Sequence, residues 1–207
     1  MPNNFYTKYG KRIFDVTASI IGLIVLLPLF IIIAILIKLN DKGPIFYKQK
    51  RIGQNFKPFE LLKFRTMVVN ADKIGPAVTK DGDPRITKIG KFLRKTKLDE
   101  LPQLWNVIRG DMSIVGPRPE VEKYIQYYKD DYKEILKVKP GITDYATIKF
   151  RNEEEILSKY DDTESAYIKY VLPEKIKLYK TYIKEISFFT DLKIIFWTLW
   201  RIVSKND

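Results

Sequence analysis

Residues 16–37, VTASIIGLIVLLPLFIIIAILI, form a run without a single charge. About 22 residues at ~1.5 Å rise make a helix ~33 Å long, enough to cross a bilayer. Pro28 sits near the middle, where it removes a backbone hydrogen bond and favours a kink. Both flanks are basic: Lys8, Lys11 and Arg12 precede the run, and Lys38, Lys42, Lys48, Lys50 and Arg51 follow it. A spanning helix normally leaves one flank poor in Lys and Arg. Two basic flanks therefore favour a bent, re-entrant helix whose ends return to the same side. A kinked transmembrane helix is the alternative. Either way, residues 1–42 read as an interfacial segment plus membrane helix, and residues 43–207 as the domain it anchors.

After the apolar run the pattern changes period. Asp41-Lys42-Gly43-Pro44 reads as a turn, and residues 45–48 and 59–67 as two strands around a loop with Gly53, Asn55 and Pro58. Period-two alternation sets Lys63 and Arg65 on one face, ~7 Å apart, with Leu62 and Phe64 on the other. The two cations read either as a solvated edge or as a paired grip on a phosphate. Residues 70–85, rich in Gly, Asp and Pro, read as a loop able to close over a site. The basic segment 86–96 brings Arg94 and Lys95, with Lys97 after it, as candidates for headgroup phosphates or for a solvated helix face.

Further on, Leu101, Leu104, Trp105 and Ile108 recur at helical spacing and predict a core-facing stripe. Pro102 suits the first turn of that helix, and Gly110 its end. Amphipathic helices are predicted over 121–138 and 153–172. The aromatic stretch 184–205 has a narrow polar stripe at Lys184, Ser187, Asp191, Thr198, Arg201 and Lys205. It suits a helix lying in a membrane interface, or one packed in the core. The expected fold is α+β: a re-entrant, kinked membrane helix, then a mostly helical domain with a small antiparallel β element and interfacial amphipathic helices.

Composition narrows the chemistry. The chain has 207 residues, 37 Lys and Arg against 25 Asp and Glu, and net charge +12. Beside a membrane anchor that excess points to anionic headgroups or phosphorylated substrates rather than nucleic acid. With no Cys and no His, disulfides, thiolate chemistry and imidazole catalysis are excluded. Asp99 and Glu100 fall at the start of the helix predicted around Leu101, where the dipole favours an ionised carboxylate. Such residues often only stabilise the helix, but in this chain an ionised Asp is also a candidate nucleophile toward phosphorus and ligand for a hard cation. Gly116-Pro117-Arg118-Pro119 fixes an arginine between two prolines, which lowers the entropy lost when its fork engages a phosphate. A basic membrane module that binds anionic lipid or nucleic acid and catalyses nothing is the competing reading. It leaves the Asp99–Glu100 pair and the rigid Arg118 loop without a purpose.

Four motifs carry a family resemblance: KRIFD at 11–15, KFRTM at 63–67, LDELPQLWNVIRGDMSIVGPRPE at 98–120 and KPGIT at 139–143. Together they resemble the bacterial sugar transferases known as monotopic phosphoglycosyl transferases. The resemblance implies transfer of a phosphosugar from a UDP-sugar to undecaprenyl phosphate, or a similar polyprenyl phosphate, with release of UMP. It implies ping-pong order through a covalent aspartyl-phosphosugar, assistance by Mg²⁺, and a site on the cytoplasmic face of the bacterial inner membrane. Carried over, Asp99 is the nucleophile and Mg²⁺ ligand, with Glu100 its partner. Lys63 and Arg118 match charged positions of the family's site, and Arg94 an arginine near the lipid phosphate. Asp191, in FFTDLKI, matches a further acidic position. Two departures stand out. Leu27 precedes Pro28 where the family often has Ser, and Asp144-Tyr145-Ala146 follows KPGIT in place of the commoner Gly and Ala-Gln-Val segment.

Overall fold

The apolar run lies inside one helix, α1 (Lys11–Asp41), which a π-helical turn over Tyr6–Gly10 extends at its N-terminus. The computed structural model describes residues 2, 5–75, 79 and 82–204. At 31 residues α1 would measure about 46 Å if straight. Its most apolar 18-residue window has mean hydropathy 3.4, yet only 11% of that window is buried. A core helix would bury most of such a stretch; here Ile24, Val25 and Leu27 face outward. α1 is helical throughout, Pro28 included.

Both ends of α1 are fastened to the same domain. Near its start, Arg12 donates to the carbonyls of Val107 and Ile108 at 2.5 and 2.9 Å, and Asp15 accepts from the Ile114 amide at 3.0 Å. Near its end, Ile33 and Ile37 are buried with Phe64 and Leu93, the Phe30 ring meets Phe64 edge-on at 5.0 Å, and Asp41 pairs with Arg65.

Beyond α1, β1 (Phe46–Ile52) and β2 (Pro58–Phe64) form an antiparallel hairpin with Phe46 opposite Phe64. The first strand outlasts its expected end. The second stops before Met67, which bridges to Ile86 instead. Helix α2 (Lys88–Thr96) is capped by Thr87, whose hydroxyl accepts from the Gly90 amide. Lys97, in the left-handed region at φ 58°, turns the chain into a 3₁₀ turn over Leu98–Glu100, and α3 (Gln103–Arg109) follows.

α3 turns a different face inward from the one its apolar stripe predicts. Gln103, Asn106 and Val107 are buried, whereas Leu101, Leu104 and Ile108 are half-buried and Trp105 is 51% exposed. The reason is the open edge of β2. Asn106 accepts from the Leu62 amide at 2.9 Å and donates to the Glu60 carbonyl at 2.7 Å, replacing the missing strand. Leu104 of the apolar stripe meets α1 instead, where a Cβ on Gly22 would lie 3.3 Å from its Cδ1.

The helix expected over 121–138 is broken into α4 (Glu122–Ile125) and α5 (Lys129–Ile135), because Tyr128 leaves the helical region at φ −134°, ψ 43°. A second sheet, unforeseen in the sequence, pairs β3 (Ser113–Val115) in parallel with β4 (Gly141–Thr143). After α6 (Tyr145–Lys149), the helix expected over 153–172 is likewise divided. α7 (Glu153–Ser158) ends, and Asp162 caps α8 (Thr163–Ala166) by accepting from the Ser165 amide. A π turn over Tyr167–Val171 leads into α9 (Leu172–Glu185), and α10 (Phe188–Val203) follows. The main core lies among these helices, with Tyr124, Tyr132, Tyr179 and Tyr182 fully buried. On α10, Asp191 and Ile194 point inward while Phe189, Phe196 and Trp200 are exposed. Lys205 of the expected stripe, and positions 76–78 and 80–81 of the expected loop, lie outside the described residues.

α2 sits so close to the KFRTM segment that a Cβ on Gly90 would fall 1.9 Å from the Thr66 carbonyl oxygen. Backbone cannot yield as a flexible side chain does, so Gly90→Ala should cost about 1–3 kcal/mol. The expected readout is a thermal midpoint lower by about 2–10 °C. An unchanged midpoint would show that this contact does not hold α2.

Candidate active site

Three segments distant in sequence converge beside the 3₁₀ turn: the end of β2 with Lys63, the turn itself with Asp99 and Glu100, and the loop after β3 with Arg118. Glu100 is their meeting point. Its Oε1 accepts from Lys63 Nζ at 3.0 Å and its Oε2 from Arg118 Nη1 at 3.0 Å, while Arg118 Nη2 also reaches Oε1. The bidentate fork fixes the guanidinium plane as well as its position.

The Arg118 loop is held from behind. Its amide donates to Asp144 Oδ2 at 2.9 Å, and Asp144 also caps α6 by accepting from the Thr147 amide at 2.6 Å. The Gly141 amide donates to the Pro117 carbonyl at 2.9 Å. A Cβ on Gly141 would lie 2.0 Å from the Gly116 nitrogen, so the GPRP and KPGIT motifs touch backbone to backbone. Asp144, noted in the sequence only as a departure from the family, is fully buried and positions this loop. Asn106 and Glu120 were likewise missed. The first steadies β2; the second accepts from Arg51 at 2.9 Å and from Tyr167 in the core.

The two adjacent carboxylates are in opposite electrostatic states. Burial alone would raise the Glu100 carboxyl, but Arg118 and Lys63 outweigh it and hold that group well below its ordinary range. Asp99 is 6% exposed, and its Oδ1 has no hydrogen-bond partner among the described residues. Burial pushes it above the usual aspartate range, against the pull of Lys63 and, more weakly, of Lys97 and Arg94. The sequence placed Asp99 at a helix start, where the dipole keeps a carboxylate ionised. It stands instead in the 3₁₀ turn ahead of α3, and the dipole effect fades within a turn.

Arg94 stands near this pair. Its Nε and Nη2 donate to the hydroxyls of Thr66 and Thr79 at 3.1 and 3.2 Å, and its Nη1 donates to Glu154 at 2.9 Å. Two other sequence candidates have different commitments. Arg65 does not join Lys63 in a paired grip. Its guanidinium is bound by Asp41 and by the carbonyls of Pro44 and Met67, and it ties the end of α1 to the hairpin. Asp191 is fully buried and accepts from Tyr6 at 2.6 Å, Lys11 at 2.5 Å and Tyr182 at 2.8 Å, fastening the N-terminal segment to α9 and α10.

The pair also suits a hard cation. Mg²⁺ commonly takes one or two carboxylates and completes its shell with water and substrate phosphates. Asp99 offers a free oxygen for that role. Among the described residues no group of three or more His, Cys, Asp or Glu could cage a metal, so the fit is to that open type of site.

One helix long and apolar enough to cross a membrane, joined to an α+β domain that holds a carboxylate pair among cations, defines the class of protein. The chain belongs to the bacterial sugar transferase family, whose model matches residues 6–205. It is 45% identical to the exopolysaccharide production protein ExoY of Sinorhizobium fredii over 159 residues, 70% of each chain. It is 40% identical to a UDP-glucose:undecaprenyl-phosphate glucose-1-phosphate transferase of Klebsiella pneumoniae over 206 residues, 97% of this chain and 41% of the relative. An Aeromonas hydrophila UDP-N-acetylgalactosamine-undecaprenyl-phosphate N-acetylgalactosaminephosphotransferase is 34% identical over 209 residues, 99% of this chain and 46% of its own. The chain spans less than half the length of these last two relatives.

The opposite states of the dyad predict opposite stability effects. Glu100 stabilises the fold above the ordinary glutamate range, a contribution lost as pH falls through its depressed value. Asp99 favours the fold only while protonated, and that contribution is lost as pH rises through its raised value. At neutral pH, Glu100→Gln should therefore cost about 1.5–3 kcal/mol by leaving the half-buried Lys63 and Arg118 without their counter-ion. Asp99→Asn should instead raise the thermal midpoint by about 2–4 °C, equivalent to about 1 kcal/mol. Thermal unfolding of the purified variants reads both, and shifts of the same sign would contradict this assignment.

Proposed function

We propose that the protein transfers a sugar phosphate from a UDP-sugar to undecaprenyl phosphate and releases UMP, as the first membrane-committed step of bacterial glycoconjugate synthesis. The observation that carries this reading is Asp99: a buried carboxylate with an unpaired oxygen, set among Lys63, Lys97 and Arg94 and beside the Glu100–Arg118 pair. The printed activities of the Klebsiella and Aeromonas relatives support it, each acting on a UDP-sugar and undecaprenyl phosphate.

In this mechanism an Asp99 carboxylate oxygen attacks the sugar-bearing phosphorus. The bond from that phosphorus to the bridging oxygen breaks, and UMP leaves with the oxygen and its electron pair. An oxygen of undecaprenyl phosphate then attacks the same phosphorus and expels the Asp99 carboxylate, which is thereby regenerated. Two successive displacements let two anionic substrates use one cationic site in turn, without facing each other's charge. Glu100 acts through its partners, holding Lys63 and Arg118 where phosphate oxygens arrive. Arg94 receives the acceptor's phosphate. Asp99, with Glu100 beside it, would hold Mg²⁺, which supplies charge neutralisation of the diphosphate.

The domain works on the cytoplasmic face of the inner membrane, with α1 entering the bilayer and returning to the same side. The fastening of both its ends to one domain supports this, since a spanning helix separates its ends by the full membrane. The exposed Phe189, Phe196 and Trp200 face of α10 suits the headgroup layer beside it.

Purified protein given Mg²⁺, undecaprenyl phosphate and a panel of UDP-sugars should release UMP with one of them, and chelation or Asp99→Asn should abolish the release. Release of UDP would replace phosphosugar transfer with ordinary glycosyl transfer. The absence of cysteine makes topology directly testable. Lys8→Cys and Lys42→Cys should both resist a membrane-impermeant maleimide in intact spheroplasts and both react after lysis. Labelling of one position from outside would mean a spanning helix.

A further inference from the structure

α7 opens with Glu153, Glu154 and Glu155, and the first two of these engage cations in unlike ways. Glu153 pairs with Lys175, which is 5% exposed and lies 4.9 Å from the centre of the Tyr167 ring. In that pair Lys175 is buried and the Glu153 side chain 27% exposed, and the contact pins the first turn of α7. Glu154 is free of such burial: its side chain is 40% exposed, and it accepts from Arg94 at 2.9 Å. The other partners of Arg94 are the hydroxyls of Thr66 and Thr79, which fix the guanidinium plane but carry no charge. Among the described residues, then, the anion in ion-pair contact with Arg94 comes from α7, at a half-exposed position, while Asp99 and Asp83 act on it only through space.

We propose that Glu154 is a specificity-determining placeholder: its carboxylate occupies the place on Arg94 that the acceptor's phosphate takes, and yields it on binding. The identity of the acceptor rests on the transferase reading above. Carboxylate and phosphate oxygens suit the same guanidinium donors, so one can replace the other without moving the arginine. A phosphate monoester carries about −1.5 to −2 charges at neutral pH against one for the carboxylate, so it wins the exchange. A neutral lipid alcohol cannot displace Glu154. The contact thus rejects the unphosphorylated lipid and keeps Arg94 paired while the site is empty. Glu100 cannot serve in this way, since it is buried between two cations and its departure would strand both.

Glu154→Gln keeps the shape and removes the charge. The acceptor KM should fall about two- to fivefold, the range expected for losing a half-exposed ion-pair competitor. The donor KM and kcat should stay within twofold, and Glu154→Asp should return the acceptor KM toward the wild-type value. A second arm needs no turnover. Thermal stabilisation by undecaprenyl phosphate, relative to undecaprenol, should be larger in Glu154→Gln than in wild type. An unchanged or higher acceptor KM, a fall in the donor KM instead, or equal stabilisation of the two proteins would overturn the proposal. Should wild-type protein release no UMP from any donor, the transferase reading fails, and the stabilisation arm alone decides the role of Glu154.

Discussion

The ion-paired Glu100 is the constraint around which the site is arranged. One carboxylate holds a lysine from the end of β2 and an arginine from the loop after β3, and so defines how those segments meet. Burial makes the arrangement stringent. Inside the protein, two cations without an anion, or an anion without its cations, would be far costlier than on the surface. The neighbouring Asp99 can therefore keep an oxygen without a hydrogen-bond partner, because Glu100 has already fixed the surrounding charges. A carboxylate with an unpaired oxygen and the ion-paired carboxylate that organises its surroundings occupy adjacent positions in the chain, with opposite electrostatic fates.

Much of this was legible in the sequence, and the limits have physical causes. The uncharged run 16–37 announced its helix because length and apolarity together leave few alternatives. Asp99, Glu100, Lys63 and Arg118 stood out because their chemistry is local and their motifs long. The buried face of α3 was misread because periodicity assumes that the inward side is apolar. Here Asn106 faces inward to serve as the missing neighbour of a strand edge, a need visible only once the strand is in place. Alternation set Arg65 and Lys63 on one strand face, yet β2 ends at Phe64, Asp41 claims Arg65 and Glu100 claims Lys63, and alternation says nothing about distant partners. The parallel pairing of β3 with β4 was hidden for a similar reason. Each strand is too short to show a period, and the pairing depends on glycines that let two backbones touch.

The helices that broke where continuity was expected carry the same lesson. The stretch 121–138 has the spacing of one helix, but Tyr128 turns out of it and donates its hydroxyl to the Ile168 carbonyl at 2.9 Å. In 153–172 the Asp162 cap restarts the chain and frees α7 to lean on Arg94 and Lys175. A single long helix would have kept the Glu153 and Glu154 pair on a fixed axis with everything that follows.

The double attachment of α1 turns an outward-facing apolar segment into a matter of helical phase. Arg12 and Asp15 fix its rotation at one end, and Ile33, Ile37 and Asp41 at the other. Adding one residue between them would rotate the far end by about 100° and advance it by about 1.5 Å, carrying Asp41 away from Arg65. The stretch around Ile24 and Val25 is thus free to exchange one apolar side chain for another, since these side chains face outward from the domain. It is not free to gain or lose a residue.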